Sequence, residues 1–457
     1  MTNTDRLAAA WRSGPLSGGS FRLLACGQFT STVGDYCYAV ALPWLVLSTH
    51  GGAILLGTVL ACYGLPRTLL IPVGGLLADK IGARTIMLAA DAARCGLVVA
   101  LVVLAAGHVA SLALLGPVAA LLGAGEGLFI PASFSVMPSL LEPEQLAAGN
   151  AINSAAVQAG GVAGPVLGGL LVAAAGPTPA FAVDAASFAV SALSLALVRL
   201  RPSPAAAGGP PGPGHTDAAG QGQPRNTGAG TGDGVWSLLR RSRLLQVIVV
   251  NVIAANLAFG GTFEVALPAL AHARFGAGGY GALIACLGTG AVIGTLAAAR
   301  GGNAGRPALV ASGSFLVEAV AVAFIPFLGG LPGAAAATFV LGACNGMGNV
   351  VFLTLVQRWA PPRLLGRVMS VIMLAGLGSF PLSVAVSGVL VHRLGPSPFF
   401  PVAAATVAIA VLGAMSQREF RDFGSAEPPE AELGAESAWG PLPRTGRLGE
   451  VKRRSAR

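Results

Sequence analysis

The 457-residue chain is 54% hydrophobic and 10% charged, with a mean hydropathy of +0.72. A soluble domain carries about a quarter charged residues, so this composition excludes one and indicates a polytopic membrane protein. The net charge of +9 does not mark a nucleic-acid binder, because the basic residues flank apolar runs instead of covering a soluble face.

Lysine occurs only at Lys80 and Lys452; arginine supplies the remaining positive charge. With the Ala and Gly excess, this fits the codon usage of a GC-rich bacterium. Cys26, Cys37, Cys62, Cys95, Cys286 and Cys344 stand singly within apolar runs. No CxxC pair or Cys/His cluster is present, so neither disulfides, a metal nor a cofactor is expected.

Residues 1–21 are polar, carry Arg6 and Arg12, and read as a cytoplasmic N-terminus without a signal peptide. Apolar spans follow at 22–48, 54–78, 85–106, 111–138, 149–174 and 178–199. Residues 200–242 are rich in Pro, Gly, Ala and Thr, and read as a disordered cytoplasmic linker. A second set of spans runs at 243–271, 279–299, 307–328, 331–358, 366–392 and 397–416. The tail 417–457 is polar, ends on Lys452-Arg453-Arg454, and reads as disordered. The expected fold is all-α, with 12 transmembrane helices in two six-helix bundles, 22–199 and 243–416.

Orientation follows from loop charge. Arg199, Arg201, Arg240, Arg300, Arg306, Arg358, Arg363 and Arg418 fall on the side of Lys80, while only Arg274 and Arg393 fall opposite. Both termini and the linker are therefore expected in the cytoplasm. The halves also read as repeats: Pro143 before span 5 matches Pro362 before span 11, and Pro165 matches Pro381. Gly294 to Arg306 is a degraded echo of the turn between spans 2 and 3. Such a plan places a transport site at the midplane between halves.

That turn, Gly75-Leu-Leu-Ala-Asp79-Lys80-Ile-Gly82-Ala-Arg84, packs acid and base into a short polar link. Gly75 is expected to admit a neighbouring helix, and Asp79 to accept from the first turn of another helix. The stretch resembles the loop between helices 2 and 3 of major facilitator superfamily transporters, matching at Gly75, Leu77, Ala78, Asp79, Gly82 and Arg84. Ala83 stands where that pattern has a basic residue. The resemblance implies a gating role, with Asp79 meeting the start of span 11 near Gly366 and Arg367.

Span 5 carries Gly160-Gly-Val-Ala-Gly164-Pro165-Val-Leu-Gly168-Gly169. Gly160, Gly164 and Gly168 make one small-residue face, and Gly281, Gly288, Gly290 and Gly294 of span 8 offer a matching one. Pro165 bends the helix. The stretch resembles the Gly-x-x-x-Gly-Pro-x-x-Gly-Gly signature of exporters in the same superfamily, which implies that this face closes the two halves. Ser31 to Asp35, Pro131-Ala132, Val136 to Pro138, Val183 to Phe188 and Gly366 to Ser370 resemble the macrolide-efflux and enterobactin-exporter branch, also called transmembrane secretion effectors.

Charges within a membrane are costly and need a reason. Asp35 lies in span 1, Glu126 in span 4 and Glu264 in span 7. The resemblance implies that spans 1, 4, 7 and 10 line the central cavity, so these acids are the candidates for proton coupling, with Asp35 foremost. A carboxylate that alternates between water and dry protein can load and release a proton; the competing reading is a permanent Asp35–Arg67 pair. Asp91 and Arg94 are three apart and can pair on one helix face. With Arg67 they read as structural charges, as do Asp184 and Glu318 on the bracing spans. Asn256, Asn345 and Asn349 either line the cavity or bond helix to helix.

The expected activity is proton-coupled export, by alternating access, of a small and moderately apolar molecule (a drug, siderophore or secondary metabolite). The expected protein is a monomer in a bacterial plasma membrane, whose partners are its cargo, protons and the lipid bilayer. The alternatives are an uptake symporter or lipid flippase on the same fold, or a membrane sensor that transports nothing. No phosphate-binding glycine loop, His/Glu metal spacing or nucleophile–base pair marks an enzyme.

Overall fold

The computed structural model describes residues 15–48, 52–107, 111–142, 145–198, 239–240, 242–300, 306–360 and 362–421. Nearly all of the expected linker, most of the tail and the first fourteen residues lie outside this set. Among the described residues the long helices are α1 (Gly19–Ser48), α2 (Gly52–Ile81), α3 (Ala83–Ala106), α4 (Leu112–Leu140), α5 (Leu146–Ala175) and α6 (Pro177–Leu197). The second set is α7 (Arg243–Arg274), α8 (Gly276–Arg300), α9 (Pro307–Phe324), α10 (Gly330–Trp359), α11 (Pro362–Leu394) and α12 (Pro396–Met415). A short α13 (Arg418–Arg421) follows.

Eleven of these helices are long and apolar enough to cross a membrane. The other long one is α1, whose 30 residues include Gln28, Thr30, Ser31, Thr32 and Asp35. Apolar runs become helices here because a backbone in lipid must satisfy its own hydrogen bonds. Pro43, Pro66, Pro72, Pro165, Pro381 and Pro401 are all accommodated inside them.

Apart from α3 with α4 and α9 with α10, the main neighbours are not consecutive in the chain. α1 packs on α5 and α6, α2 on α4, and α3 on α4 and α6. The second half repeats this arrangement: α7 packs on α11 and α12, α8 on α10, and α9 on α10 and α12. Glycines set the repeat at close range. Gly123 and Gly127 of α4 press on the backbone of Tyr63 and Arg67 in α2. Gly342 and Gly346 of α10 press in the same way on Leu287 and Ala291 of α8. This register makes Glu126 and Asn345 counterparts, each one residue before the second glycine.

Two seams join the halves, α2 on α11 and α5 on α8. Both are glycine crossings: Gly57 meets Gly388, and Gly169 meets Gly281. The buried apolar side chains make one continuous core at the end holding Val46, Leu56, Leu270 and Phe400. At the Lys80 end they form two separate cores, one around Met87 and Phe129 and one around Leu245 and Val356. The halves are thus fused at one end and apart at the other.

Candidate functional site

Where the shared core gives way to the split, α1, α2, α4 and α7 bring their charged residues together. The α2–α4 glycine crossing places Arg67 and Glu126 side by side, with Nη2 3.1 Å from Oε1. The pair is partly buried, at 24% and 22% side-chain exposure, so solvent screens it incompletely. Arg67 therefore pairs with Glu126 of α4, and the competing reading of a permanent Asp35–Arg67 pair is not what the structure has. The reason is the packing order: α1 and α2 are sequence neighbours but touch little, whereas α2 and α4 lie along one another.

Asp35 instead lines a small cavity with Tyr38, Tyr63, Arg94, Glu126 and Asp184. Its volume of about 30 Å³ holds about one water. Glu264 sits in a π-helical turn, Thr262–Ala266, that interrupts α7. Such turns insert one residue and redirect the side chains around them. Gly260 and Gly261 let α11 approach here; the Gly261 N–H donates to Ser383 Oγ at 2.8 Å, and that hydroxyl donates to the Leu257 carbonyl at 2.7 Å. The turn packs on α2, and Arg67 lies within electrostatic reach of both Glu264 and Asp35. Sequence reasoning missed the turn, for which Gly260-Gly261-Thr262 was the available signal.

Asp91 and Arg94 pair as expected and are buried. Ser191 Oγ donates to Asp91 Oδ2 at 2.6 Å. The guanidinium lies between the rings of Phe129 and Phe188, at 4.6 and 4.4 Å from their centroids. Asp184 is also buried, and its Oδ1 has no partner among the described residues.

The asparagines divide. Asn345 donates to Glu318 Oε1 of α9 at 2.9 Å, and Asn349 donates to Asn345 Oδ1 at 3.0 Å. Asn345 is thus corrected from a cavity-lining residue to a link between α10 and α9, while Asn349 is exposed. Asn256 donates to the Val252 carbonyl of its own helix and lies beside Gly376 of α11.

The glycine face of α5 is also corrected. Gly160, Gly164 and Gly168 pack on α1: a Cβ at Gly164 would lie 2.6 Å from Tyr36 Cβ, and one at Gly168 3.0 Å from Cys37 Cα. The seam with α8 is made one residue further on, by Gly161, Pro165 and Gly169 against Gly288 and Gly281. One residue turns a helix by about 100°, which is the whole difference between the two faces. Gly290 and Gly294 face α10 instead of α5.

In the turn after α2, Gly82 has φ +90°, a conformation that favours glycine. Arg84 Nε donates to the Leu195 carbonyl at 2.7 Å, and Nη2 donates to that of Ala196, capping the end of α6. Gly75 is no close approach, since a Cβ there would have Pro131 as its nearest neighbour at 3.9 Å; a Cβ at Gly74 would lie 2.8 Å from Leu128 and Pro131. Asp79 and Lys80 are exposed. The Asp79 contact with α11 is not made among the described residues, and the surroundings of Gly366 and the side chain of Arg367 lie outside that set.

A family model, Major Facilitator Superfamily, matches residues 24–380. The chain belongs to the major facilitator superfamily. It is a multi-pass membrane transporter of that family, 26% identical over 409 residues to the uncharacterized MFS-type transporter y4rN of Sinorhizobium fredii, covering 87% of this chain and 94% of the relative. The multidrug efflux pump Tap of Mycolicibacterium fortuitum is 31% identical over 213 residues, 44% of this chain and 47% of that pump. Among solved structures the nucleoside transporter NupG superposes with TM-score 0.68 at 13% identity, covering 87% and 99% of the two chains. A D-xylose–proton symporter gives 0.63 at 14%, covering 89% and 98%. These structures share its fold.

Proposed function

We propose that this transporter exports a small, moderately apolar molecule from a bacterial cytoplasm in exchange for protons, working as a monomer. The observation that carries the coupling is the gathering of Asp35, Glu126 and Glu264, from three different helices, around Arg67 at the base of the split between halves. Even with the buried Asp91–Arg94 pair and Asp184 counted beside them, the acids outnumber the arginines, which leaves carboxylates for the proton to occupy, next to a cavity with space for a water. Ionisable groups at membrane depth mark ion pathways. The export direction is supported by the glycine-proline stretch of α5 and by the likeness of 38–44% of the chain to Tap pumps. Cargo would enter between the halves, where Asn256 and Asn349 supply polar groups without fixed charge.

The test is accumulation of candidate compounds in cells with and without the protein, under an imposed pH gradient. Export that follows the gradient supports the reading; accumulation equal in both cells overturns it. Asp35→Asn should abolish pH-driven efflux but leave cargo binding intact. Proton-coupled efflux persisting in that variant would transfer the coupling role to Glu264.

A further inference from the structure

Outside the proposed transport site, α2 and α3 diverge from the turn at Gly82, and each leans on α4. They leave a groove of about 620 Å³, lined by Leu77, Ile81, Ala89, Ala93, Leu121 and Leu128 among others. The lining is apolar except for Thr85, at the end nearest the turn. From Thr85 to Leu97 the groove follows α3 for about 18 Å, slightly more than half of a hydrocarbon core of about 30 Å. Its length therefore matches one leaflet.

The turn at the mouth holds Asp79, Lys80 and Arg84, a net charge of +1, with Asp79 about 100° round α2 from Lys80. Arg84 is committed to the end of α6, which leaves Lys80 as the available cation of the turn. Lys80 is exposed and has no ion pair among the described residues. It follows Leu77 by three residues, so it shares the face that lines the groove. Thr85, also exposed, and the N-terminus of α3 lie beside it, and a helix N-terminus favours a phosphate.

We propose that this groove binds one acyl chain of an anionic phospholipid from the adjoining leaflet, with its phosphate held between Lys80, Thr85 and the first turn of α3. The chain contributes through apolar burial along α3 and α4, and Lys80 selects the headgroup charge. The occupant is a bilayer lipid and not cargo, because the groove opens on the outer face of the bundle and presents no polar group at depth.

The protein is reconstituted in phosphatidylcholine vesicles containing a trace of diazirine-acyl phosphatidylglycerol, irradiated, and the adduct mapped by peptide mass spectrometry. Adducts should concentrate on the segment 85–97 and on Leu121 to Leu128. Gly96→Phe fills the groove from a position where an added Cβ meets no atom within 4 Å, so the backbone need not shift to admit the new side chain. It should cut labelling there at least fivefold, with an unchanged melting temperature. Lys80→Gln should lower the preference for phosphatidylglycerol over a phosphatidylcholine probe by about fivefold. Excess inorganic phosphate should compete weakly if the acyl chain anchors the lipid. Labelling spread evenly over all lipid-facing helices, or unchanged by Gly96→Phe, would overturn the groove. An unaltered headgroup preference in Lys80→Gln would overturn the phosphate site, and full displacement by inorganic phosphate would show an anion site without an acyl chain.

Discussion

Arg94 and Arg67 show how differently two intramembrane arginines can be held. Arg94 is enclosed by Asp91, Phe129 and Phe188, and removing one partner of a buried pair costs about 3–5 kcal/mol. Arg94→Leu should therefore lower the amount of folded protein in detergent, and Asp91→Asn should do the same, as read by size-exclusion profile and melting temperature. Arg67 is less deeply buried than Arg94, so its loss should act on transport more than on folding. Arg67→Gln should reduce efflux strongly while shifting the melting temperature by only a few degrees. If Glu126 is its functional partner, adding Glu126→Gln should recover part of the activity that the single variant loses. Recovery by Asp35→Asn instead would show that the pair exchanges during transport. The candidate acids were legible in the sequence because each breaks an apolar run. Their partners were not, since pairing depends on which helices are neighbours in the bundle, and α1 and α2 are neighbours mainly in the chain.

At the scale of the helix, the glycine stretch of α5 serves two neighbours at once. Gly160, Gly164 and Gly168 admit α1, while Gly161 and Gly169 admit α8. Gly164→Leu should push α1 from α5 and break the hydrogen bond that Cys37 Sγ gives to the Gly164 carbonyl. Packing at close range is what holds helices together in lipid, so this variant should be poorly folded. Gly169→Val should behave otherwise, because its added atoms meet Gly281 across the seam between halves. It should fold, but favour separation of α5 from α8. The motif as a string of residues was plain in the sequence. Which face meets which helix was not, because a one-residue difference in register turns the face by about 100°. The π turn at Glu264 was hidden for a related reason: one inserted residue leaves the apolar pattern of α7 unbroken while rotating everything after it.

For the whole molecule, twelve spans in two repeats were readable from hydropathy and loop charge, but the state of the bundle was not. Sequence alone does not say at which end two similar halves touch. Here they share a core at the Trp44 and His272 end, where the two rings lie 4.7 Å apart, and separate at the Asp79 end. Alternating access requires the opposite arrangement as well, and the α2 turn is then positioned to meet the start of α11. Thr68 Oγ1 already donates to the Leu377 carbonyl at 3.1 Å, and continuing that antiparallel register by eleven residues from each leads to Asp79 and Gly366. An acidic side chain at a helix N-terminus is favourable by up to about 2 kcal/mol when partly buried, a useful bias for a two-state equilibrium. In a variant with the six native cysteines replaced, a cysteine at Lys80 should react readily with a water-soluble maleimide, because this turn is exposed in the present arrangement. Adding Gly169→Val should open the opposite end, drive the α2 turn onto α11 and slow that reaction several-fold. Asp79→Asn should restore fast labelling in the Gly169→Val background and abolish export, with insertion and folding unchanged. Equal labelling rates in all three proteins would show that the turn is not part of the moving gate.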